Sequence, residues 1–170
     1  MPSMIRRNLL LTAAAASAFA WHGTARAFSP PEGAVVLTVA GVPDEAEPVY
    51  FDRTLLEDLP AVTIQTTTIW TDGPQEFTGV ELSVLLEHLG VVEGRLSAVA
   101  VNDYAVEIPV SDAVTGGPIV AYLQNGAPMS LRDRGPLWIV YPYDHNPDYR
   151  SEVIYARSIW QLDRLFVLPN

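Results

Sequence analysis

Histidine is the side chain best suited to acid–base work near neutral pH, and beyond residue 27 the chain has two, His88 and His145. His88 follows Glu87 on the side of a leucine-rich segment opposite its apolar stripe, which reads as solvated surface. His145 lies in Tyr143-Asp144-His145-Asn146-Pro147-Asp148. Asp144, His145 and Asp148 are chemically able to ligate a metal, but one His with two loop acids follows no recognised ligand spacing. The chain has no cysteine, so it forms no disulfide framework, thiolate metal site or Cys nucleophile. A Gly-rich phosphate loop, a nucleophile elbow and a His-rich zinc motif are absent as well. No catalytic residue and no metal ligand is therefore assigned.

The remaining polar residues stand out by placement. Asn102-Asp103-Tyr104 sits between two strand-like runs, and Arg132-Asp133-Arg134-Gly135-Pro136 leads into an apolar one. Asp144 to Arg150 follows that run, Ser158-Ile159-Trp160-Gln161 precedes the last strand, and Trp70 ends a threonine-rich segment. Aromatic faces with arginines, carboxylates and amides at strand ends suit a flat, polar-edged heterocycle. Trp stacks on the ring, Asp accepts two N–H bonds from an amidine-like edge, and Arg or Asn donates to a carbonyl oxygen. Each also has a purely structural reading. Trp138 reads as a core anchor, Trp160 as core or platform, Asp133 and Arg134 as a solvated pair, and Asn102-Asp103 as an ordinary turn.

Elements that would position these groups follow from composition and periodicity. Residues 34–39 read as a strand, and Asp52 as the cap of a short helix carrying Leu55, Leu56 and Leu59. Residues 62–70 have strand composition and 71–74 a turn. Leu82, Leu85, Leu86 and Leu89 follow helical spacing, with Gly90 at C′. Strands are expected at 96–101, 105–110, 118–123, 137–141 and 164–168, with Asn125-Gly126 a turn. The fold class is α+β, a mixed, sheet-rich single domain over residues 28–170 with few short helices.

All ten basic residues are arginine, three of them within residues 1–27, where no acid occurs. Residues 28–170 thus hold seven Arg against 20 acids, −13 with His neutral. Such a surface suits neither nucleic acid nor anionic lipid. Arg6-Arg7, an apolar run from Leu9 to Trp21 and Ala25-Arg26-Ala27 have the layout of a signal peptide over 1–27, with an apolar core too short to span a bilayer. The expected location is the periplasm, reached by the general secretory or the twin-arginine route, without direct membrane insertion.

Several stretches carry a family likeness: Thr67-Thr68-Ile69-Trp70-Thr71-Asp72-Gly73, Phe77-Thr78-Gly79-Val80, Asn102-Asp103-Tyr104, Asn125 to Pro136, and Ser158-Ile159-Trp160-Gln161-Leu162. In order and spacing they resemble the molybdopterin-binding domain of sulfite oxidases, over nearly all of residues 28–170. Those enzymes hold molybdenum partly through a cysteine thiolate and grip the cofactor phosphate with basic residues. Here cysteine and lysine are absent, and Asn125 stands where the enzymes have His. The combination resembles the PruR-type periplasmic pterin-binding proteins. That resemblance implies a reduced, phosphate-free pterin as ligand, no molybdenum, and a partner in the periplasmic domain of an inner-membrane cyclic-di-GMP enzyme. It places Trp160 and Ser158 at the pterin and Arg132, Asn102, Asp103 and Arg150 at its edge; Trp70 and Tyr143, chosen for their aromatic faces and not by the resemblance, complete the expected ligand set. Two other classes stay open: a molybdopterin-dependent oxidoreductase without a cysteine ligand, and an interaction module whose pocket is filled by its own side chains.

Overall fold

β-branched and aromatic residues recur along residues 28–170, the part of the chain that the structure describes, and most of them fold as strands. The signal-peptide reading of residues 1–27 lies outside the described residues. In the computed structural model the strands are β1 (Val35–Ala40), β2 (Val49–Asp52), β3 (Ala61–Thr66), β4 (Gln75–Glu81), β5 (Arg95–Ala100), β6 (Ala105–Pro109), β7 (Ile119–Gln124), β8 (Ala127–Pro128), β9 (Trp138–Val140) and β10 (Leu162–Leu168). Three short helices accompany them: α1 (Arg53–Glu57), α2 (Leu82–Leu89) and α3 (Glu152–Arg157). One sheet has the order β2-β1-β10-β5-β6; the other runs β3-β4-β7-β8, with β9 also on β7. The β1–β10 pair is parallel and all the others are antiparallel, as a mixed α+β sheet fold requires.

Local chemistry explains the element ends. The Asp52 carboxylate accepts from Leu55 N at 2.9 Å, capping α1, and from Gly33 N at 2.7 Å and Glu32 N at 2.9 Å. These backbone donors, Leu55 first, hold its carboxyl below the usual carboxylate range. In α2 the four expected leucines are buried, and Gly90 at φ 73 closes the helix with its N–H on Leu86 and Glu87 carbonyls. Asn125 and Gly126, at φ 51 and 75, make the tight β7–β8 turn.

Several boundaries differ from expectation. The threonine strand stops at Thr66, four residues before Trp70. Thr67 N donates to Asp144 Oδ2 at 2.6 Å and Trp70 N to Thr68 Oγ1 at 3.1 Å, so side chains replace the ladder and bend the chain. The strand expected at 137–141 is three residues long, fully buried on both faces. β2, β4, β8 and α3 went unread, and β10 begins two residues earlier than expected. Ser151 starts α3 by accepting from Ile154 N at 3.4 Å, in a segment whose Val153, Ile154 and Tyr155 have strand composition. His88 is exposed, as expected, but lies edge-on to Phe28 at 5.5 Å. Among the described residues no helix is long and apolar enough to cross a membrane.

The two sheets are joined by a strap, residues 158–162. Ile139 N donates to Ile159 O, Leu162 N to Leu137 O and Gln161 N to Arg134 O, all near 3 Å, while Val101 N donates to Gln161 O at 2.9 Å. The strap therefore lies between β9 and the β5–β6 hairpin tip, and the candidate site forms there.

Candidate functional site

Tryptophan 70 enters the site on a loop held at both ends. Asp144 accepts from Thr67 N at 2.6 Å and Thr67 Oγ1 at 2.7 Å, and Thr66 Oγ1 accepts from Asp144 N at 3.1 Å. At the other end Arg134 Nη2 donates to Trp70 O at 2.8 Å. The Thr67 bonds, ahead of Arg150, hold the Asp144 carboxyl below the usual carboxylate range. So fixed, the Trp70 ring meets four others edge-on: Trp160 at 5.5 Å, Tyr155 at 5.8 Å, Trp138 at 5.9 Å and Tyr143 at 6.4 Å. The Arg134 guanidinium lies 5.4 Å from the Trp138 ring centre and 6.0 Å from that of Trp160.

Trp138 and Trp160 are bridged neighbours with opposite fates. Trp138 is fully buried against Phe77 and donates from Nε1 to Ser158 O at 3.2 Å; Trp160 stays 36% exposed. Beside Trp160 opens a cavity of about 430 Å³, walled by Trp70, Tyr104, Tyr155, Ser158, Trp160 and Gln161, with Ala100, Asn102, Ala156 and Ile159 completing the lining. No charged side chain contributes to that wall. Its own side chains leave it open.

Four of the eight residues expected at a ligand, Trp70, Asn102, Ser158 and Trp160, line this cavity. Tyr143 stands behind the wall, its hydroxyl donating to Ser158 Oγ at 2.6 Å while Ser158 Oγ donates to Ile154 O at 2.8 Å. Burial pushes the Tyr143 hydroxyl up to about 12. Arg150 is one layer further out, with Nε on Tyr143 O at 3.0 Å and Nη2 on Asp144 Oδ1 at 2.6 Å. Asp103, at φ 65 in the hairpin tip, pairs outward with Arg164 at 2.6 Å. Arg132 is exposed on the 131–133 turn, outside the wall, and among the described residues it has no hydrogen-bond or ion-pair partner. Asp144 is already engaged by Thr67 and Arg150, and among the described residues no three His, Cys, Asp or Glu side chains are grouped to hold a metal.

Tyr104, Tyr155 and Gln161 line the cavity without having been singled out individually. Tyr155 reaches it because α3 is pinned by Arg157 Nη1 on Asp112 Oδ2 at 2.9 Å, an acceptor shared with Tyr141 OH at 2.8 Å. Burial, then the Asp112 charge, raises the Tyr141 hydroxyl far above its ordinary value. The legible signal for α3 was Ser151 ahead of Glu152, a cap followed by an acid in the first turn. Chemically the arrangement offers ring faces for stacking and a neutral polar edge for hydrogen bonding, without a nucleophile–base pair.

Residues 55–144 match the family model described as the oxidoreductase molybdopterin binding domain. In fold the chain is similar to the sulfane dehydrogenase SoxCD from Paracoccus pantotrophus, with a TM-score of 0.59 and 19% identity over 79% of this chain. The chain spans 38% of the length of that structure, and at such identity the likeness concerns fold alone. No curated protein matches the chain. The matched segment ends before α3 and the strap, which supply more than half of the cavity lining.

Proposed function

This chain belongs to the oxidoreductase molybdopterin binding domain family, and from that footing we propose that it binds a reduced, phosphate-free pterin and acts by ligand-dependent docking instead of bond-making. The observation that carries this reading is the open, aromatic-walled cavity of about 430 Å³ with an uncharged lining, in a chain that has no cysteine. A fused bicyclic ring matches the Trp and Tyr faces, and the Asn102 and Gln161 amides suit its polar edge. The rest of the molybdenum cofactor fits less well. A molybdenum centre in this chain would have no protein thiolate, and a cofactor phosphate would meet no cation in the lining. The residues present thus suit the ring and leave the metal and the phosphate unserved.

The chain's own contribution is to orient and shield the ring. Trp70 and Trp160 offer faces, Tyr104 closes the outer side at 57% exposure, and Ser158 is held by Tyr143 and Ile154 so that the floor does not shift. The periplasmic location follows from the signal-peptide layout of residues 1–27, and the partner, the periplasmic domain of an inner-membrane cyclic-di-GMP enzyme, from the resemblance to PruR-type proteins. Docking of the loaded protein onto that domain is the regulatory step.

Two measurements test the proposal. Titration of the purified protein with a tetrahydropterin should quench Trp fluorescence and saturate; the absence of binding tighter than about 1 mM, an interaction of roughly 4 kcal/mol, overturns it. Molybdenum counted in protein purified from its native host should fall far below one per chain, whereas a stoichiometric count turns the assignment to a molybdopterin oxidoreductase.

A further inference from the structure

Among the polar side chains of the lining, Ser158, Asn102 and Gln161 have hydrogen-bond partners, whereas the Tyr104 and Tyr155 hydroxyls have none among the described residues. Ser158 Oγ donates to Ile154 O and accepts from Tyr143 OH. Asn102 Oδ1 accepts from Tyr104 N at 3.2 Å, which leaves the amide nitrogen as the group that can donate to a ligand. Gln161 is the most constrained residue of the lining. Its backbone sits in the left-handed region at φ 53, its N–H is on Arg134 O, its carbonyl holds Val101 N, and its Nε2 donates to Leu131 O at 2.6 Å. A non-glycine residue in that conformation, fixed by three hydrogen bonds, is the kind of strain that a fold retains around a site. Its remaining polar atom, Oε1, is then the one side-chain amide acceptor of the lining without a partner among the described residues, and the Leu131 bond fixes which end of the amide is oxygen.

We propose that Gln161 sets ring-edge specificity, its Oε1 accepting a hydrogen bond from the exocyclic amino group of the bound ring while the Asn102 amide donates to the ring's carbonyl oxygen. The assignment rests on the pterin reading above and deepens it. It makes the cavity selective for 2-amino heterocycles over their 2-oxo counterparts, because a carbonyl at that position sets acceptor against acceptor.

The test compares tetrahydropterin with tetrahydrolumazine, which differ by a 2-amino against a 2-oxo group, on the wild-type protein and on one variant. The wild type should favour the amino ring by about tenfold or more. Gln161→Met, of similar length and backbone strain but without the acceptor, should bring the two affinities within about twofold. Equal wild-type affinities overturn the specificity assignment and leave the pterin reading standing; a Met variant as selective as the wild type does the same. Failure of the wild type to bind either ring overturns both. The wild-type comparison decides the matter even if a variant does not fold.

Discussion

The core under α2 and the cavity beside Trp160 are built by opposite means. Leu82, Leu85, Leu86 and Leu89 come from one helix, are all buried, and need only helical spacing to find one another. The cavity wall comes from three separate segments: the loop at Trp70, the hairpin tip at residues 100–104 and the stretch 155–161. These are tied by bonds such as Thr67 to Asp144, Arg134 to Trp70 and Gln161 to Leu131. A core made by periodicity tolerates loss of one side chain locally, whereas a wall made by long-range ties transmits it to the ligand site.

The sharpest way to break this comparison is a pair of truncations. Trp138→Ala should cost roughly 3–5 kcal/mol and Leu85→Ala roughly 2–5 kcal/mol, since both side chains are fully buried. Urea unfolding checks both. Trp138 also touches Trp70 and Trp160 and donates to Ser158 O, so its loss should weaken pterin binding more than tenfold at a temperature where the variant is folded. Leu85→Ala should leave binding within about twofold. Equal effects on the ligand would erase the distinction between the regions.

A second effect, smaller, concerns α3. Arg157 and Asp112 are largely shielded, at 25% and 16% side-chain exposure, and Tyr141 donates to the same carboxylate. Arg157→Met leaves Asp112 with the Tyr141 hydroxyl alone and should cost about 2 kcal/mol in a denaturant titration. Because α3 carries Tyr155 to the cavity, ligand affinity should fall with it.

The difference between the regions also decides what could be read from the chain before its structure. α2, Gly90 and the Asp52 cap were legible because each depends on residues within one or two turns. The Asn102-Asp103 and Asn125-Gly126 turns were legible for the same reason. The end of β3 was not, because Asp144, 77 residues away in sequence, takes Thr67 out of the ladder. Trp70, Ser158 and Trp160 were singled out by type and by resemblance; the structure adds that they meet across one cavity. Arg132, Arg150, Asp103 and Tyr143 had the right chemistry, but Asp103 faces Arg164 and the Arg150–Tyr143 pair supports the wall from behind. Gln161 gave no local signal, since its constraints come from Arg134, Val101 and Leu131.

Acid titration separates the ties further. Asp144 and Asp52 both have depressed carboxyl pKa values, so each contributes stability above the ordinary carboxylate range. That contribution is lost as pH falls through the folded-state value. Asp144→Asn should destabilise by about 1–2 kcal/mol at pH 7, a modest figure because its side chain is 29% exposed. The gap between variant and wild type should begin to narrow as pH falls below the ordinary carboxylate range and close as it passes the still lower folded-state value of Asp144. Urea midpoints at a series of pH values check this, with the Asp52 contribution common to both proteins. A gap that persists unchanged in acid would mean that Asp144 acts through its shape alone.

The smallest expected effect tests the comparison from the other side. Arg95 and Glu107 join β5 to β6 across 3.4 Å, but both side chains are about half exposed, far from the cavity lining. Such a pair is screened by water and salt, and its attraction barely exceeds the entropy of holding two long side chains together. Residues 28–170 also carry a large acidic excess, so removing one carboxylate relieves repulsion while it breaks the pair. Glu107→Gln should therefore change stability by no more than about 0.5 kcal/mol, with either sign, and leave ligand affinity untouched. A loss comparable to that of Arg157→Met would show that the β5–β6 hairpin is held by its surface charges, and that the hairpin tip at Asn102 depends on them too.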